Sequence, residues 1–158
     1  MPTARELKEG DAAPRIQLAD DRGEPFDLAN LKGKNVVLYF YPKADTPGCT
    51  TEACEFRDDH KKFARQDTVV IGVSPDKSAA QAKFKTKFDL PFTLLADVDH
   101  KTAEGYGVWK EKSMYGKKYM GVERTTFLIG KDGKIKKIFY KVKPAGHSAE
   151  VQEALKAL

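Results

Sequence analysis

The strongest constraint on this chain is the run Asn35–Tyr41 (NVVLYFY), uncharged, rich in β-branched and aromatic residues, and stopped by Pro42. It shows no alternation of polar and apolar positions. Such a strand must be buried on both faces, as in the middle of a sheet covered on two sides. Thr68–Ser74 (TVVIGVS) repeats the pattern and stops before Pro75. Between the two, Ala53, Phe56, His60 and Phe63 recur at helical spacing after Cys49 and predict one helix with an apolar face. A strand, a crossover helix and a second strand make parallel neighbours.

The rest of the chain extends this arrangement. Ser78 and Gln81 have the spacing of a capping box and predict a helix with Ala80, Phe84 and Phe88 on one side. A short strand is expected at Phe92–Leu95. Thr125–Ile129 and Ile135–Tyr140 flank Asp132-Gly133, a hairpin signal. Val151, Ala154, Leu155 and Leu158 predict a last helix from near Ser148, and residues 16–28 an extra hairpin around Asp20–Gly23. The expected fold is α/β and thioredoxin-like: a mixed, mostly parallel sheet flanked by helices, with an N-terminal hairpin extension. No repeat, low-complexity stretch or linker divides residues 1–158, which read as one domain.

Hydrophobic residues make up 41% of the 158 and charged residues 32%, a composition that can bury a core and does not suit a disordered chain. No apolar run approaches membrane-spanning length. Met1–Pro14 is charged and lacks the apolar centre of an export signal, so a cytoplasmic location is expected. The net charge of +5 raises a nucleic-acid-binding module as one reading. No basic motif interleaved with aromatics supports it, and lysines alternating with acids read as a solvated surface. The lysine-rich stretch Lys110–Lys118 reads as a solvated loop or a contact for an acidic partner. Trp109, Tyr115 and Tyr119 either pack or cover a site.

Two cysteines in a reducing compartment point to chemistry rather than to a structural bridge. The informative segment is Tyr41–Asp58, YPKADTPGCTTEACEFRD. It follows the first buried strand and opens a helix, so Cys49 falls in the first turn, where free N–H groups and the positive end of the dipole favour an anion. Thr46 can donate its hydroxyl there, and Gly48 permits close approach. Cys54 is the only other thiol. On an ideal helix, positions five apart lie roughly 8.7 Å apart at Cα, beyond the about 4.4–6.8 Å of a disulfide. If the two cysteines pair, this helix must unwind. Taken singly, each residue has a plainer reading: Cys49 and Cys54 as small core residues, Arg124 as a surface charge, and Glu52 either as a partner of Arg124 or as an ordinary acid near a helix start. His60, His100 and His147 show no metal-ligand spacing, and neither metal nor organic cofactor is expected.

The segment resembles the active site of the peroxiredoxins, and most closely the peroxiredoxin Q group. The family pattern Pro-x-x-x-Thr-x-x-Cys is matched by Pro42, Thr46 and Cys49, and the group's extension by Thr46–Thr50, Cys54 and Phe56–Asp58. YFYPKA, FTLLAD, Gly107–Lys118 and ERTTFLI carry the resemblance along nearly the whole chain. It implies a peroxidase acting on hydroperoxides. Cys49 would be the peroxidatic thiol, Cys54 the resolving thiol, Pro42 a shield, Thr46 a peroxide ligand and Arg124 the distant active-site arginine. It also implies thioredoxin as reductant and a monomer. A thiol–disulfide oxidoreductase on the same fold is the alternative, although its usual Cys-x-x-Cys pair is absent.

Overall fold

The computed structural model describes residues 7–158, so the first six residues of the charged N-terminal stretch lie outside it. Strands β1 (Gln17–Asp20) and β2 (Pro25–Asp27) form the expected N-terminal hairpin. Strand β3 (Asn35–Phe40) leads into helices α1 (Pro47–Asp58) and α2 (His60–Ala64), and β4 (Thr68–Ser74) into α3 (Ser78–Phe88). Next come β5 (Thr93–Ala96), α4 (Lys101–Gly105), the pair β6 (Trp109–Met114) and β7 (Lys117–Val122), the pair β8 (Thr125–Ile129) and β9 (Ile135–Phe139), and α5 (His147–Lys156).

Seven strands make one sheet in the order β2-β1-β5-β4-β3-β8-β9, and β6 and β7 pair only with each other. The two uncharged runs lie at its centre, parallel and in register from Asn35↔Thr68 to Phe40↔Val73. Alternation along β3 then builds two cores. Val37, Tyr39 and Tyr41 point to the face covered by α1, α3 and α5, with Phe56, Phe84 and Val151. Val36, Leu38 and Phe40 point to the other, with Tyr106, Phe127 and Ile135. The absence of a polar face in the sequence is thus explained by two covered faces.

Four expectations need correction. The sheet is mixed but not mostly parallel: only β3–β4 and β4–β5 are parallel, whereas β1–β2, β1–β5, β3–β8 and β8–β9 are antiparallel. Hairpins need no crossover, so the additions at both ends joined antiparallel. The helix through Phe56 and Phe63 breaks at Asp59, whose backbone takes φ −95°, ψ 4° and whose carboxylate accepts a 2.7 Å bond from the Ser148 hydroxyl. The two rings still meet, 5.9 Å between centroids. Ser78 and Gln81 form no capping box. Lys77 is the cap, and Gln81 is buried, accepting from the Tyr41 hydroxyl (2.6 Å) and donating to Ser74 Oγ (2.7 Å) and the Leu95 carbonyl (2.8 Å). An amide sealed in the core satisfies its groups there rather than at the helix end.

The fourth correction concerns the segment 106–119. It is not a loop but largely the β6–β7 hairpin, turned by Tyr115 (φ 52°) and Gly116 (φ 77°), the positive angles of a tight two-residue turn. Of Trp109, Tyr115 and Tyr119, the two tyrosines face solvent and Trp109 packs, stacked on His100 with ring centroids 3.8 Å apart. Among the described residues, no helix is long and apolar enough to cross a membrane.

Gly72 lies where β4 passes beneath the Tyr39 ring. A Cβ there would stand 2.9 Å from both Tyr39 Cζ and Leu94 Cδ2. Gly72→Ala is therefore expected to overpack this core and to lower stability by about 1–3 kcal/mol, seen as a lower urea midpoint with an unchanged m-value. An unchanged midpoint would show that the ring is free to move.

Candidate active site

Strand β3 ends at Phe40, and the chain passes through Tyr41–Thr46 into α1 at the C-terminal edge of the parallel strands. Pro47 and Gly48 are the first helical residues, and Cys49 follows in the same turn. The first intrahelical bond runs from the Thr50 N–H to the Thr46 carbonyl, 2.8 Å, which leaves the Cys49 N–H outside the helical ladder. The buried face of α1 is Cys49, Glu52, Ala53 and Phe56. This i, i+3, i+4, i+7 pattern places the thiol and the Glu52 carboxyl on the same side of the helix.

Strand β8 runs antiparallel to β3, with Phe40 opposite Thr125. That register brings Arg124, just before β8, to the same edge from seventy-five residues away in sequence. Its backbone is fixed by a 2.9 Å bond from the Val142 N–H to its carbonyl. Its guanidinium donates from Nη2 to Cys49 Sγ at 3.2 Å and from Nη1 to Glu52 Oε1 at 2.7 Å. An anionic sulfur here meets a fixed cation on one side and the positive end of a twelve-residue helix on the other. Gly48 leaves room at this contact: a Cβ would lie 3.2 Å from Arg124 Nη2 and 3.4 Å from Pro144 Cγ and would push on the guanidinium.

Cys49 is sealed, with 1% of its surface exposed. Pro42 lies half-buried at the start of the loop. Thr46 takes the N-cap position, but its hydroxyl donates to the Lys43 carbonyl at 2.8 Å and makes no bond to Sγ. As a donor it is used within the loop, and its lone pairs are left as acceptors. Cys54 lies half-buried on the same helix, and both thiols are free. Because α1 is continuous from Pro47 to Asp58, the two sulfurs cannot bond in this conformation. Of the sequence-predicted residues, the fold therefore joins Cys49 and Arg124 directly, sets Pro42 and Thr46 in the loop before the thiol, and holds Cys54 apart.

Glu52 belongs to the site through its bond to Arg124. Two further neighbours, Pro144 and Lys112, were not anticipated. No local signal marks Pro144, which reaches the site only through the turn before α5. Lys112 was read as part of a solvated stretch; burial and then the charge of Arg124 hold its pKa below the ordinary lysine value. Burial pushes Glu52 up to about 7, opposed by the Arg124 guanidinium. Its Oε2 and the hydroxyl of Tyr39 are buried without a partner among the described residues. Among those residues no group of three or more His, Cys, Asp or Glu could hold a metal ion.

Comparison with known proteins decides the family. The pattern of the AhpC/TSA family matches residues 9–138. Peroxiredoxin Bcp of Bacillus subtilis is 55% identical over 147 residues, 93% of this chain and 94% of that protein. The chain is a peroxiredoxin of the AhpC/TSA family. Peroxiredoxin Bcp of Escherichia coli is 45% identical over 95% of this chain and 96% of its own length. A PrxQ mutant structure from Xylella fastidiosa superposes with a TM-score of 0.91 at 34% identity, covering 97% of this chain and 98% of that one. Xanthomonas campestris bacterioferritin comigratory protein, solved in trapped intermediate and ligand complexes of alkyl peroxide reduction, gives a TM-score of 0.85 at 38% identity, with 90% of each chain covered. As a member of the Bcp and peroxiredoxin Q group on a thioredoxin-like fold, this peroxiredoxin is a thiol peroxidase, an oxidoreductase that takes a peroxide substrate and a thiol reductant.

The environment of Glu52 makes a pH prediction. Its folded-state pKa lies above the ordinary 4.5, so folding takes up a proton between those values. The contribution of Glu52 is fullest below the unfolded pKa and is lost as pH rises through the folded one, at no more than about 1.4 kcal/mol per pH unit. Glu52→Gln removes that slope. Urea denaturation from pH 4.5 to 8 is expected to show the wild type losing stability relative to the variant up to about pH 7, and none above it. Parallel profiles would mean that Glu52 is ionised throughout.

Proposed function

We propose that Cys49 is the peroxidatic thiol of this peroxiredoxin and Cys54 the thiol that resolves it, acting on hydrogen peroxide and organic hydroperoxides. The observation that carries this reading is the Arg124 Nη2–Cys49 Sγ contact of 3.2 Å in the first turn of α1. The Cys49 thiolate attacks one peroxide oxygen, the O–O bond breaks, and the leaving oxygen departs as water or an alcohol once protonated. Arg124 and the Cys49 N–H face the charge that develops. Thr46 accepts a hydrogen bond from the peroxide hydroxyl, and Pro42 shields the thiol from water.

The sulfenic acid on Cys49 then condenses with the Cys54 thiol, forming the S–S bond and releasing water. This requires the first turns of α1 to unwind. Its far end is tied independently: the Glu55 carboxylate accepts from the Gly146 N–H at 2.9 Å, and Arg57 donates to the Phe88 carbonyl at 2.8 Å. These ties support opening that is confined to the turns before Glu55, which carry both cysteines. Thioredoxin, or a similar dithiol protein, then restores both thiols. Residues 1–158 act as one domain, as a monomer, in the cytoplasm.

Titration of the reduced protein with one equivalent of hydrogen peroxide, without reductant, tests the cycle. The expected result is loss of both thiols and a mass decrease of about two hydrogens per chain. Gain of oxygen with one thiol kept would remove Cys54 from the resolving role, and persistence of peroxide would remove Cys49 from the attack. Cys49→Ser is expected to abolish turnover. Cys54→Ser should keep the first oxidation and lose thioredoxin-supported recycling. Amide exchange of residues 49–57 is expected to be faster in the oxidised protein, and equal protection in both redox states would contradict unwinding.

A further inference from the structure

The β6–β7 hairpin forms a two-stranded sheet of its own. Such a ribbon is marginal unless something packs on it, yet it carries four of the large exposed apolar side chains: Met114 (55% exposed), Tyr115 (97%), Tyr119 (43%) and Met120 (52%). Clustered apolar exposure of this kind marks a contact surface.

The register sorts the hairpin's side chains. Lys112 pairs with Tyr119 and Met114 with Lys117, which puts these four on one face. Glu111 opposite Met120 and Ser113 opposite Lys118 share the other. On that second face Lys118 lies 3.7 Å from Glu111. Lys110, opposite Gly121, belongs to the first face and is paired there at the base with Glu123 at 2.8 Å. Lys112 and Lys117 have no carboxylate within 4.0 Å among the described residues. The first face is thus positive and apolar together. The Lys112 stem lies over Gly121, its Cδ 3.3 Å from where a Cβ would stand, so its methylenes line the face.

This face is continuous with the active site, because β7 runs through Glu123 directly into Arg124, and the charge of Arg124 reaches Lys112. A hydroperoxide or a small thiol needs no surface this wide. A macromolecule that must come to the site after each turnover does, and a face whose lysines outnumber its acids around apolar side chains fits an acidic protein with an apolar centre. We propose that the face formed by Lys112, Met114, Lys117 and Tyr119, with Tyr115 at the tip, docks the dithiol protein that reduces this chain. The proposal rests on the Cys49–Cys54 disulfide cycle above. In that step a thiolate of the partner attacks one sulfur of the disulfide, the S–S bond breaks, and a mixed disulfide forms. The partner's second thiolate displaces it. Two electrons pass to this chain, two protons end on Cys49 and Cys54, and the partner leaves as a disulfide.

The test is the double variant Tyr115→Asn with Lys117→Glu. Asn tolerates the positive φ of Tyr115 and precedes Gly116, so the turn is kept. The oxidised proteins are reduced in parallel by thioredoxin and by dithiothreitol, and oxidation of the reduced proteins by hydrogen peroxide is followed separately. The expected result is reduction by thioredoxin about ten-fold slower and less dependent on salt, with the dithiothreitol and peroxide rates unchanged. Tyr115→Phe with Lys117→Arg should restore the wild-type rate. An unchanged thioredoxin rate, or an equal loss with dithiothreitol, would overturn the proposal, as would a wild-type dimer that the variant dissociates without any change in the thioredoxin rate. A wild-type protein that forms no disulfide, or whose disulfide thioredoxin does not reduce, would instead overturn the cycle beneath it and the docking with it.

Discussion

One guanidinium holds this site together. Cys49 and Glu52 lie three residues apart on the buried side of α1, where an anionic sulfur and a carboxylate would repel each other with little water to screen them. Arg124 offers one nitrogen to each, at 3.2 and 2.7 Å. Its rigid, permanently charged fork suits two partners set side by side in a way that a lysine ammonium would not. Much else in the fold serves this contact. The antiparallel pairing of β8 with β3 delivers Arg124 to the edge where α1 begins. Gly48 clears the space the guanidinium occupies, and the two-sided burial of β3 fixes the strand from which the helix departs.

How much of this could be read in the sequence depended on whether the signal was local. The buried strands β3 and β4 declared themselves through runs with no polar face, and the thiol through its place after a strand and before a helical period. Glu52 lay in view, three residues beyond Cys49, but only the position of Arg124 distinguishes it from an ordinary acid near a helix start. The helix break at Asp59 depends on Ser148, eighty-nine residues away, and no window around Asp59 contains it. Gln81 showed the spacing of a capping residue and was taken instead by Tyr41, Ser74 and Leu95. The β6–β7 hairpin was hidden for another reason. Its strands are covered on neither face near the tip, so they lack the apolar alternation by which a strand is recognised, and Tyr115-Gly116 is a weaker turn signal than Asn-Gly.

Helix α1 is built as two unlike parts. The stretch from Pro47 to Cys54 carries both cysteines and is held by Arg124 and by packing beneath it. The second is tied by Glu55 to the start of α5 and by Arg57 to the end of α3, and the Asp59 that follows it binds Ser148. Opening of the first part can therefore be local, in the sense that low-stability segments open while the packed remainder stays closed. Phe56 and Phe63, on the far side of Cys54, keep their place in the core.

At the start of α5, His147 is fully enclosed, with Nδ1 donating to the Glu150 carboxylate at 2.6 Å and Nε2 2.7 Å from the Thr126 hydroxyl. Since a carboxylate only accepts, Nδ1 carries a proton, and burial lowers the pKa of the ring from its ordinary value of 6.5. Folding therefore expels a proton from His147 just below pH 6.5, over the range in which it admits one to Glu52. The two groups lie on helices that pack against each other, and their proton traffic is opposite in sign. Mild acid therefore charges the histidine at the start of α5 while it neutralises the buried carboxyl of α1, so one pH step acts in opposite directions on two packed helices.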